Sequence, residues 1–247
     1  MNLQRQATES SEGAIADVTE EATEDATVLV LCPAYNAAGH LPELLQRIGV
    51  VCDKKDVLVV DDGSADNSVE ILNVSGARYL RLKSNHGKGA ALKTGYRWAR
   101  KRGYKAVLSI DSDLQHAPED IPRFLVGRAD FPQAVLLGCR EFRAGAMPLM
   151  RQLSNNLSSL LVSIFSGKRI RDSQCGFRLL PLQLLAHAPA KSARFMYESE
   201  TLFMLGVCGA EVRETPIRVI YNGSQSHINP LTVILKFIRL FWRRLWY

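Results

Sequence analysis

The chain has 247 residues, of which 47% are hydrophobic and 23% are charged. This length is enough for one sizeable α/β core and too short for two full domains. Its five cysteines are scattered and never form a Cys-x-x-Cys pair, which argues against a disulfide framework or a zinc site and favours a reduced, cytoplasmic setting. Because no run of about 18 apolar residues is present, we expect no helix that spans a membrane.

The charge is unevenly distributed along the sequence. Residues 1 to 26 carry one basic and seven acidic side chains and therefore a net charge of −6, so the +6 of the whole chain leaves +12 on the remaining residues. We expect this acidic head to be a disordered tail, because it is polar and almost free of large apolar residues. The basic body indicates an anionic partner, which is a nucleic acid, an anionic membrane surface or a phosphorylated substrate.

From Thr27 onward, short β-type runs alternate with helix-type segments, a pattern typical of a parallel sheet that is covered by helices. The predicted elements of the first half are a strand at 28–32, a helix around 41–48, a strand at 57–60, a helix from 68, a strand at 78–82, a helix at 90–101 and a strand at 106–110. In such sheets, ligands gather beyond the carboxyl ends of the strands, and each polar cluster of the first half follows such an end.

The second half is less regular. Its predicted elements are a short strand at 134–137, an amphipathic helix at 149–165, a helix at 198–208 and a strand at 212–219. The last residues, 230–247, are apolar and aromatic, with four basic side chains at helical spacing, Lys236, Arg239, Arg243 and Arg244. This pattern favours a helix that lies in a membrane interface over a terminal helix that packs on the core.

Asp111 and Asp113 follow an apolar strand, where alternation turns both side chains the same way. Two converging carboxylates need a cation, and a hard divalent ion such as Mg²⁺ or Mn²⁺ prefers oxygen ligands that substrate phosphates can complete. Gln115 is a candidate for a further oxygen ligand. The alternative is a solvated loop whose acids cap the following helix, and an isolated Asp-x-Asp does not decide between the two.

Two further polar clusters lie at predicted strand ends. Asp61 and Asp62 begin an Asp-Asp-Gly-Ser sequence, whose carboxylates can accept hydrogen bonds from uracil or guanine, although this sequence alone is an ordinary turn. The segment 85–89 reads Asn-His-Gly-Lys-Gly and opens a helix, so its free N–H groups and Lys88 are suited to an anion. The alternative for Lys88 is an exposed lysine on a turn.

These motifs occur in the same order in glycosyltransferase family 2, which the chain resembles from Val28 to about His227. The shared motifs are strand-Pro-x-Tyr-Asn, strand-Asp-Asp-Gly-Ser, Asn-x-Gly-x-Gly-x-Ala and strand-Asp-x-Asp. The resemblance implies the GT-A fold, an α/β, Rossmann-like, three-layer arrangement in which a mixed sheet carries helices on both faces within a single domain. That domain would span 27–229, between the acidic tail at 1–26 and the amphipathic membrane-interface segment at 230–247.

Two longer sequences sharpen the resemblance. Asp111 to His116 is similar to the Asp-Ala-Asp-Leu-Gln-His of polyprenyl-phosphate sugar synthases of the dolichyl-phosphate mannose or glucose type. Asp172 to Arg178 is similar to the Asp-Thr-Gln-Cys-Gly-Phe-Lys of the glucosyl branch. The likeness implies an inverting, metal-dependent hexosyltransferase that transfers a hexose from a UDP- or GDP-sugar to a polyprenyl phosphate, with Mn²⁺ or Mg²⁺ as cofactor, for cell-envelope glycan or glycolipid synthesis.

The resemblance also implies a role for individual residues. Those expected to bind the nucleotide sugar are Pro33, Tyr35, Asn36, Asp61, Asp62, Lys88 and Asp111. The expected metal ligands are Asp111, Asp113 and Gln115, the expected catalytic residues are Asp113, Glu198 and Arg140, and the acceptor phosphate is expected at Arg140 and Arg151. The alternative for both arginines is solvated surface charge.

Glu198 has two possible roles in such a transferase. Inversion proceeds by one in-line displacement, so a hydroxyl acceptor needs a general base, whereas a lipid phosphate is already anionic. Glu198 would therefore orient the sugar or the acceptor in the second case and act as a base in the first. The alternative is an acidic residue that is favoured in the first turn of a helix by the dipole.

One residue and one segment depart from the family's pattern. Ala37 replaces a common glutamate, and residues 221–227 replace the Arg-x-x-Gly-x-Ser-Lys of mannosyl synthases, which puts phosphate contacts from that loop in doubt.

Three other functions compete with this hypothesis. A relative with the same fold would transfer the sugar to a glycan or glycolipid hydroxyl. A sugar-phosphate nucleotidyltransferase would need a glycine-rich loop with a basic residue after the first strand, where this chain has Pro-Ala-Tyr-Asn. A nucleic-acid partner is not expected, because the basic residues are not interleaved with an aromatic platform. We expect a peripheral protein on the cytoplasmic face of the membrane.

Overall fold

The structure is a computed structural model of the chain, and it describes residues 28–140, 149–187, 190, 192 and 196–220. The predicted acidic tail at 1–26 and the predicted membrane-interface segment at 230–247 lie outside the described residues. Within the described part of the chain, no helix is both long enough and apolar enough to cross a membrane.

The first half alternates strands and helices, as predicted. Its elements are β1 (Val28–Ala34), α1 (Leu41–Val51), β2 (Val57–Asp61), α2 (Ser68–Ser75), β3 (Arg78–Arg81), α3 (Lys88–Lys101) and β4 (Ala106–Ser109). A short 3-10 turn, Lys54–Asp56, precedes β2. Residues of β2 and β4 are buried throughout, which explains why these strands read as continuous apolar runs and not as alternating ones.

The second half contains more elements than predicted. They are α4 (Ile121–Asp130), β5 (Val135–Arg140), α5 (Leu149–Ser166), β6 (Arg178–Pro181), α6 (Leu182–His187), α7 (Met196–Val207) and β7 (Val212–Ile217). A second 3-10 turn, Pro118–Asp120, leads into α4. Among the helices, α5 closely matches the amphipathic helix predicted at 149–165.

The seven strands form one mixed sheet in the order β3-β2-β1-β4-β6-β5-β7. All neighbouring pairs are parallel except those of β6, which runs antiparallel to both β4 and β5. The carboxyl ends of β1, β2, β4 and β5 therefore meet at one edge of the sheet. Because β6 runs the other way, its first residue, Arg178, lies at that same edge, opposite Ser109.

Helices cover both faces of the sheet, which gives the expected three layers. Leu29 and Leu31 of β1 pack in one core with residues of α3 and α7, and Val30 and Cys32 pack in a second core with residues of α1 and α4. Alternate residues of a strand point to opposite faces, so a single buried strand supplies both cores. A fully buried Leu or Val contributes about 1.5–3 kcal/mol to folding.

The boundaries differ from the sequence predictions at three places. Helix α3 begins at Lys88 and not at Ala90, because Gly87, with a φ of 89°, already forms its N-cap. Strand β5 extends to Arg140, since β7 pairs with it to its last residue. The β6–α6 unit is absent from the prediction because its apolar run is short and is interrupted by Pro181.

Candidate functional site

The polar clusters of the sequence converge at the carboxyl edge of the sheet, on the loops that follow β1, β2 and β4. The first two loops interlock through side-chain hydrogen bonds. The amide of Asn36 donates to Ser64 Oγ at 2.8 Å, and the amide of Ala65 donates to Asn36 Oδ1 at 2.9 Å. Ser64 Oγ also donates to the buried carboxylate of Asp61. Tyr35 is 48% exposed beside this pair of loops, as a residue that contacts a ligand would be.

Asp62 fixes the entry to α3. Its two carboxylate oxygens accept hydrogen bonds from the amides of His86, at 2.9 Å, and Gly87, at 2.7 Å. Gly63 follows with a φ of 72°, and a Cβ there would lie 2.7 Å from the Cα of Ser84. Asp61 and Asp62 therefore lie at the strand end where the nucleoside contacts were expected, and both carboxylates already brace loops of the protein.

Lys88 links two acidic residues that are far apart in the sequence. Its ammonium nitrogen lies 2.5 Å from Asp111 Oδ1 and 2.9 Å from Glu198 Oε2, with only 16% of the side chain exposed. Burial opposes the charged form of Lys88, but the two carboxylates prevail and raise its pKa above the usual range. The alternative that Lys88 is an exposed lysine on a turn is thus wrong.

Asp111 and Asp113 respond differently to this environment. Although burial acts against ionisation, the Lys88 ammonium holds the pKa of Asp111 below its usual range. The pKa of Asp113 is raised by burial and by the negative charge of Asp111. Asp113 Oδ1 accepts a hydrogen bond from the amide of Gln115 at 3.1 Å, and Leu114, with a φ of 58°, bends the loop between them. Repulsion between neighbouring carboxylates is the setting in which a bound cation lowers the energy.

These residues fit a divalent cation. Gly176 lies against Asp111, and a Cβ on Gly176 would come within 2.6 Å of Asp111 Cγ, so only glycine leaves the carboxylate in its place. Among the described residues, no three His, Cys, Asp or Glu side chains converge as a ligand set. Such a two-carboxylate site is typical of Mg²⁺ or Mn²⁺ that is completed by water, amide oxygens and substrate phosphates.

His116 is a further buried residue of this loop. Its Nε2 lies 4.0 Å from Asp111 Oδ2, and burial lowers the pKa of His116 to about 4. Its ring is therefore neutral at pH 7 and adds no charge to the carboxylate cluster.

Glu198 lies in the first turn of α7 and is buried. Lys88 contacts its Oε2, whereas Oε1 has no hydrogen-bond partner among the described residues. Arg178 forms an ion pair with that oxygen, since its Nη2 lies 3.5 Å away. No role for Arg178 was expected from the sequence. The signal that could have identified it is a charged residue at the head of an apolar run, which indicates a buried, paired charge.

Arg140 lies at the end of β5 and is committed to a partner inside the protein. Its Nε and Nη2 donate to the two oxygens of Asp172 at 2.5 and 2.7 Å, and both side chains are buried. The arginine fork that was expected to hold a phosphate thus holds a carboxylate. Arg140 also lines a cavity of about 620 Å³ together with Arg169 and Arg171.

Several expected site residues are only partly placed by the structure. Pro33 is within β1 and pairs with Val60, so it shapes the start of the first loop. Arg151 lies in the first turn of α5, and its side chain is outside the described part of the chain. His227 and the rest of 221–227 lie outside it as well.

The chain is similar to known proteins along most of its described length. The family model described as Glycosyl transferase family 2 matches residues 29–188. An uncharacterized protein of Methanocaldococcus jannaschii is 30% identical over 208 residues, which cover 79% of this chain and 89% of that protein. An undecaprenyl-phosphate mannosyltransferase of Micrococcus luteus is 29% identical over 206 residues, which cover 78% of this chain and 83% of the relative.

A solved structure has the same fold. It is glucosyl-3-phosphoglycerate synthase from Mycobacterium tuberculosis in complex with Mn²⁺, UDP and glucosyl-3-phosphoglycerate, with a TM-score of 0.63 and 21% sequence identity. The match covers 87% of this chain and 77% of the other. The mixed seven-stranded sheet thus agrees with the GT-A fold that the sequence implied. Fold, motifs and family model agree, and the chain is a glycosyltransferase that belongs to glycosyltransferase family 2.

Proposed function

We propose that the protein transfers a hexose from a nucleoside-diphosphate sugar to a polyprenyl phosphate, with inversion at the anomeric carbon. The observation that carries the proposal is the cluster in which Lys88 joins Asp111 to Glu198 at the carboxyl edge of the sheet. Relatives support this acceptor class, since the Micrococcus luteus protein is named undecaprenyl-phosphate mannosyltransferase and one from Mycolicibacterium smegmatis polyprenol monophosphomannose synthase.

We assign the metal to Asp111 and Asp113, with Gln115 as a further oxygen ligand. Mn²⁺ or Mg²⁺, when bound, neutralises the diphosphate that leaves the sugar. The raised pKa of Asp113 supports the assignment, because a site that crowds negative charge favours a cation. The complex of the structurally similar synthase with Mn²⁺ and UDP is consistent with this metal class.

In this proposal, the nucleotide-sugar donor lies along the loops that follow β1, β2 and β3. Tyr35 and Asn36 contact the nucleoside together with Asp61 and Asp62, whose carboxylates retain lone pairs beyond those that the backbone amides occupy. Lys88 turns from Asp111 to the diphosphate, where an ammonium group stabilises the leaving group as the bond to the sugar breaks.

The acceptor approaches from the side of Arg140. The cavity beside Arg140 carries the further guanidinium groups of Arg169 and Arg171, although Arg171 also pairs with Glu214. These groups favour an anionic headgroup, and we assign Arg151, which the sequence predicts as an acceptor-phosphate residue, to the same acceptor. Leu160, on the rim of the cavity, is 55% exposed and offers an apolar surface to a lipid chain.

Glu198 orients substrate in this mechanism, because a phosphate oxygen attacks without losing a proton. Its buried Oε1, which lacks a hydrogen-bond partner among the described residues, is suited to accept a hydroxyl of the sugar. A hydroxyl acceptor is the second candidate, and the same Oε1, which accepts no hydrogen bond from the described residues, favours Glu198 as a general base. Glu198→Gln separates the two, since a base would be lost entirely while a phosphate acceptor would leave appreciable turnover.

The test is transfer by the purified full chain. It is incubated with UDP-glucose or GDP-mannose, Mn²⁺ and a short polyprenyl phosphate, and the lipid product is measured by mass spectrometry. We expect a lipid-linked hexose that EDTA abolishes and that Asp113→Asn reduces at least about 100-fold, as for loss of an oriented electrostatic group. Asp130→Asn, the same change at an exposed position, is the control. No lipid-linked sugar with any donor would contradict the proposal.

A further inference from the structure

Arg178 is among the largest fully buried side chains of the described chain, with 1% of its surface exposed. It begins β6, the strand that runs against its two neighbours, and therefore lies at the edge of the sheet where the site is built. A buried guanidinium is costly unless its donors are satisfied. The contacts that satisfy it divide between two walls of the site.

The first wall is the loop that supports Asp111. Arg178 Nε donates to the carbonyl oxygen of Cys175 at 3.0 Å, and Nη2 donates to the carbonyl oxygens of Cys175, at 2.5 Å, and Ser173, at 3.4 Å. The next residue, Gly176, is the one whose Cα lies against the Asp111 carboxylate. Ser109 Oγ also donates to the carbonyl oxygen of Gly176 at 2.9 Å. Because Gly176 lies against Asp111, a displacement of this loop would also displace the Asp111 carboxylate.

The second wall is the start of α7. Arg178 Nη1 donates to the carbonyl oxygen of Glu198 at 3.1 Å, and its Nη2 lies 3.5 Å from Glu198 Oε1. The carboxylate of Glu198 is thus held between two cations, with Lys88 on Oε2 and Arg178 on Oε1. If Lys88 turns to the diphosphate, Arg178 still lies beside Glu198.

We propose that Arg178 is a positioning residue that fixes Glu198 relative to Asp111. It thereby sets the distance between the carboxylate that orients the substrate and the carboxylate that binds the metal. The inference rests on the proposed function for the role of Glu198, but its effect on Asp111 is independent of the acceptor. A displacement of about 1 Å in an active site costs up to about 100-fold in rate. Arg178 itself touches neither metal nor substrate in this assignment.

The test compares Arg178→Met, which removes the charge, with Arg178→Lys, which keeps the charge but cannot reach both walls as a fork. We expect kcat to fall about 100-fold in the first variant and about 10-fold in the second, while the KM for the donor changes less than about threefold. Affinity for Mn²⁺ alone, measured by electron paramagnetic resonance, should fall about 10-fold, as for other groups that support a metal ligand.

The matched control is Arg100→Met. Arg100 also donates to a main-chain carbonyl, that of Leu182 just beyond the other end of β6, at 3.3 Å. The Arg100→Met change should leave kcat and Mn²⁺ affinity within about twofold of the wild type, because the hydrogen bond that it removes lies away from the site.

The outcomes separate a positioning role from a merely structural one. A folded Arg178→Lys protein with wild-type kcat and wild-type Mn²⁺ affinity would overturn the proposal, even if its thermal midpoint were lower. If Arg178→Met does not fold, Arg178→Lys alone decides. If the wild type transfers no sugar to polyprenyl phosphate, the proposed function fails, while Mn²⁺ affinity still tests the link between Arg178 and Asp111.

Discussion

Lys88 supplies a positive charge between two carboxylates that the fold brings to the same edge of the sheet. Its ammonium contacts both Asp111 and Glu198, so in the absence of ligand it stands in for part of the charge that a divalent metal supplies. A metal that binds Asp111 must compete with it. In the proposed mechanism, the same side chain would weaken the binding of the metal alone and strengthen the binding of the metal together with a diphosphate.

Lys88→Met should therefore have opposite effects on two ligands. We expect affinity for Mn²⁺ alone to rise about tenfold, equivalent to ~1.4 kcal/mol, because a competing cation is lost. Affinity for UDP or GDP in the presence of Mn²⁺ should fall, because a diphosphate contact is lost. Calorimetric titration measures both, with Lys101→Met, an exposed lysine at the end of the same helix, as the control. A fall in both affinities would show that Lys88 does not compete with the metal.

The location of the polar loops at the site could be predicted from the sequence, because each polar motif follows an apolar strand. Asp61, Asp62, Asp111 and Asp113 could be assigned to one edge of the sheet on that basis alone. The partners of Lys88 could not be read, since Asp111 and Glu198 lie on other elements and only the folded sheet brings them to it. Arg140 was expected to face a phosphate, and no sequence pattern indicated that its guanidinium binds the carboxylate of Asp172.

Among the helices and loops, the contact between α1 and the 3-10 turn Pro118–Asp120 has a defined pH dependence. Arg47 of α1 holds Glu119 through two hydrogen bonds of 2.8 Å. The hydrogen bond to Arg47 is the main reason that the pKa of Glu119 is lowered from 4.5 to about 2. A lowered pKa means that the contact stabilises the fold above pH 4.5 and that this stabilisation is lost as the pH falls toward 2.

Glu119→Gln should lower the thermal midpoint at pH 7 by less than about 4 °C. The pair is partly exposed, so its contribution is below about 1 kcal/mol, and in a chain of this size 1 kcal/mol corresponds to about 2–4 °C. The difference between the two proteins should shrink as the pH is lowered from 5 toward 2, as followed by circular dichroism. Glu70→Gln, at an exposed helix position, is the control, and a difference that grows at low pH would refute the account.

The β6–α6 unit shows which part of the architecture was hidden from the sequence. The run from Leu179 to Leu182 is too short to distinguish a strand from a helix by periodicity. Its direction is set by pairing with β4 and β5, which are contacts between distant segments. Sequence periodicity therefore predicted the regular first half well and could not predict the strand that joins the two halves.

For the protein as a whole, the uneven charge predicts how it meets a membrane. The segment 230–247 was interpreted as a membrane-interface helix, and each of its four basic residues would contribute about 1 kcal/mol near an anionic leaflet. A chain shortened to residues 1–229 should bind vesicles that contain phosphatidylglycerol at least about tenfold more weakly, and should keep the Mn²⁺ and nucleotide affinities of the full chain.

Co-sedimentation with vesicles at low and high salt measures this effect. Deletion of residues 1–26 is the matched control, because it removes a segment of net charge −6 and should leave vesicle binding unchanged or stronger. Undiminished binding by the chain shortened to 1–229 would show that another surface makes the contact.

The antiparallel strand β6 also has a consequence for how the molecule is made. During synthesis β4 emerges long before β6, so the sheet stays open beside Ser109 until Arg178 arrives to pair with it. The first half therefore cannot complete the carboxylate cluster by itself, because Gly176, which lies against Asp111, and Glu198, which pairs with Lys88, come from later segments. Contacts of such long sequence separation fold slowly, and a truncated or stalled chain would carry the Asp-x-Asp motif without a working site.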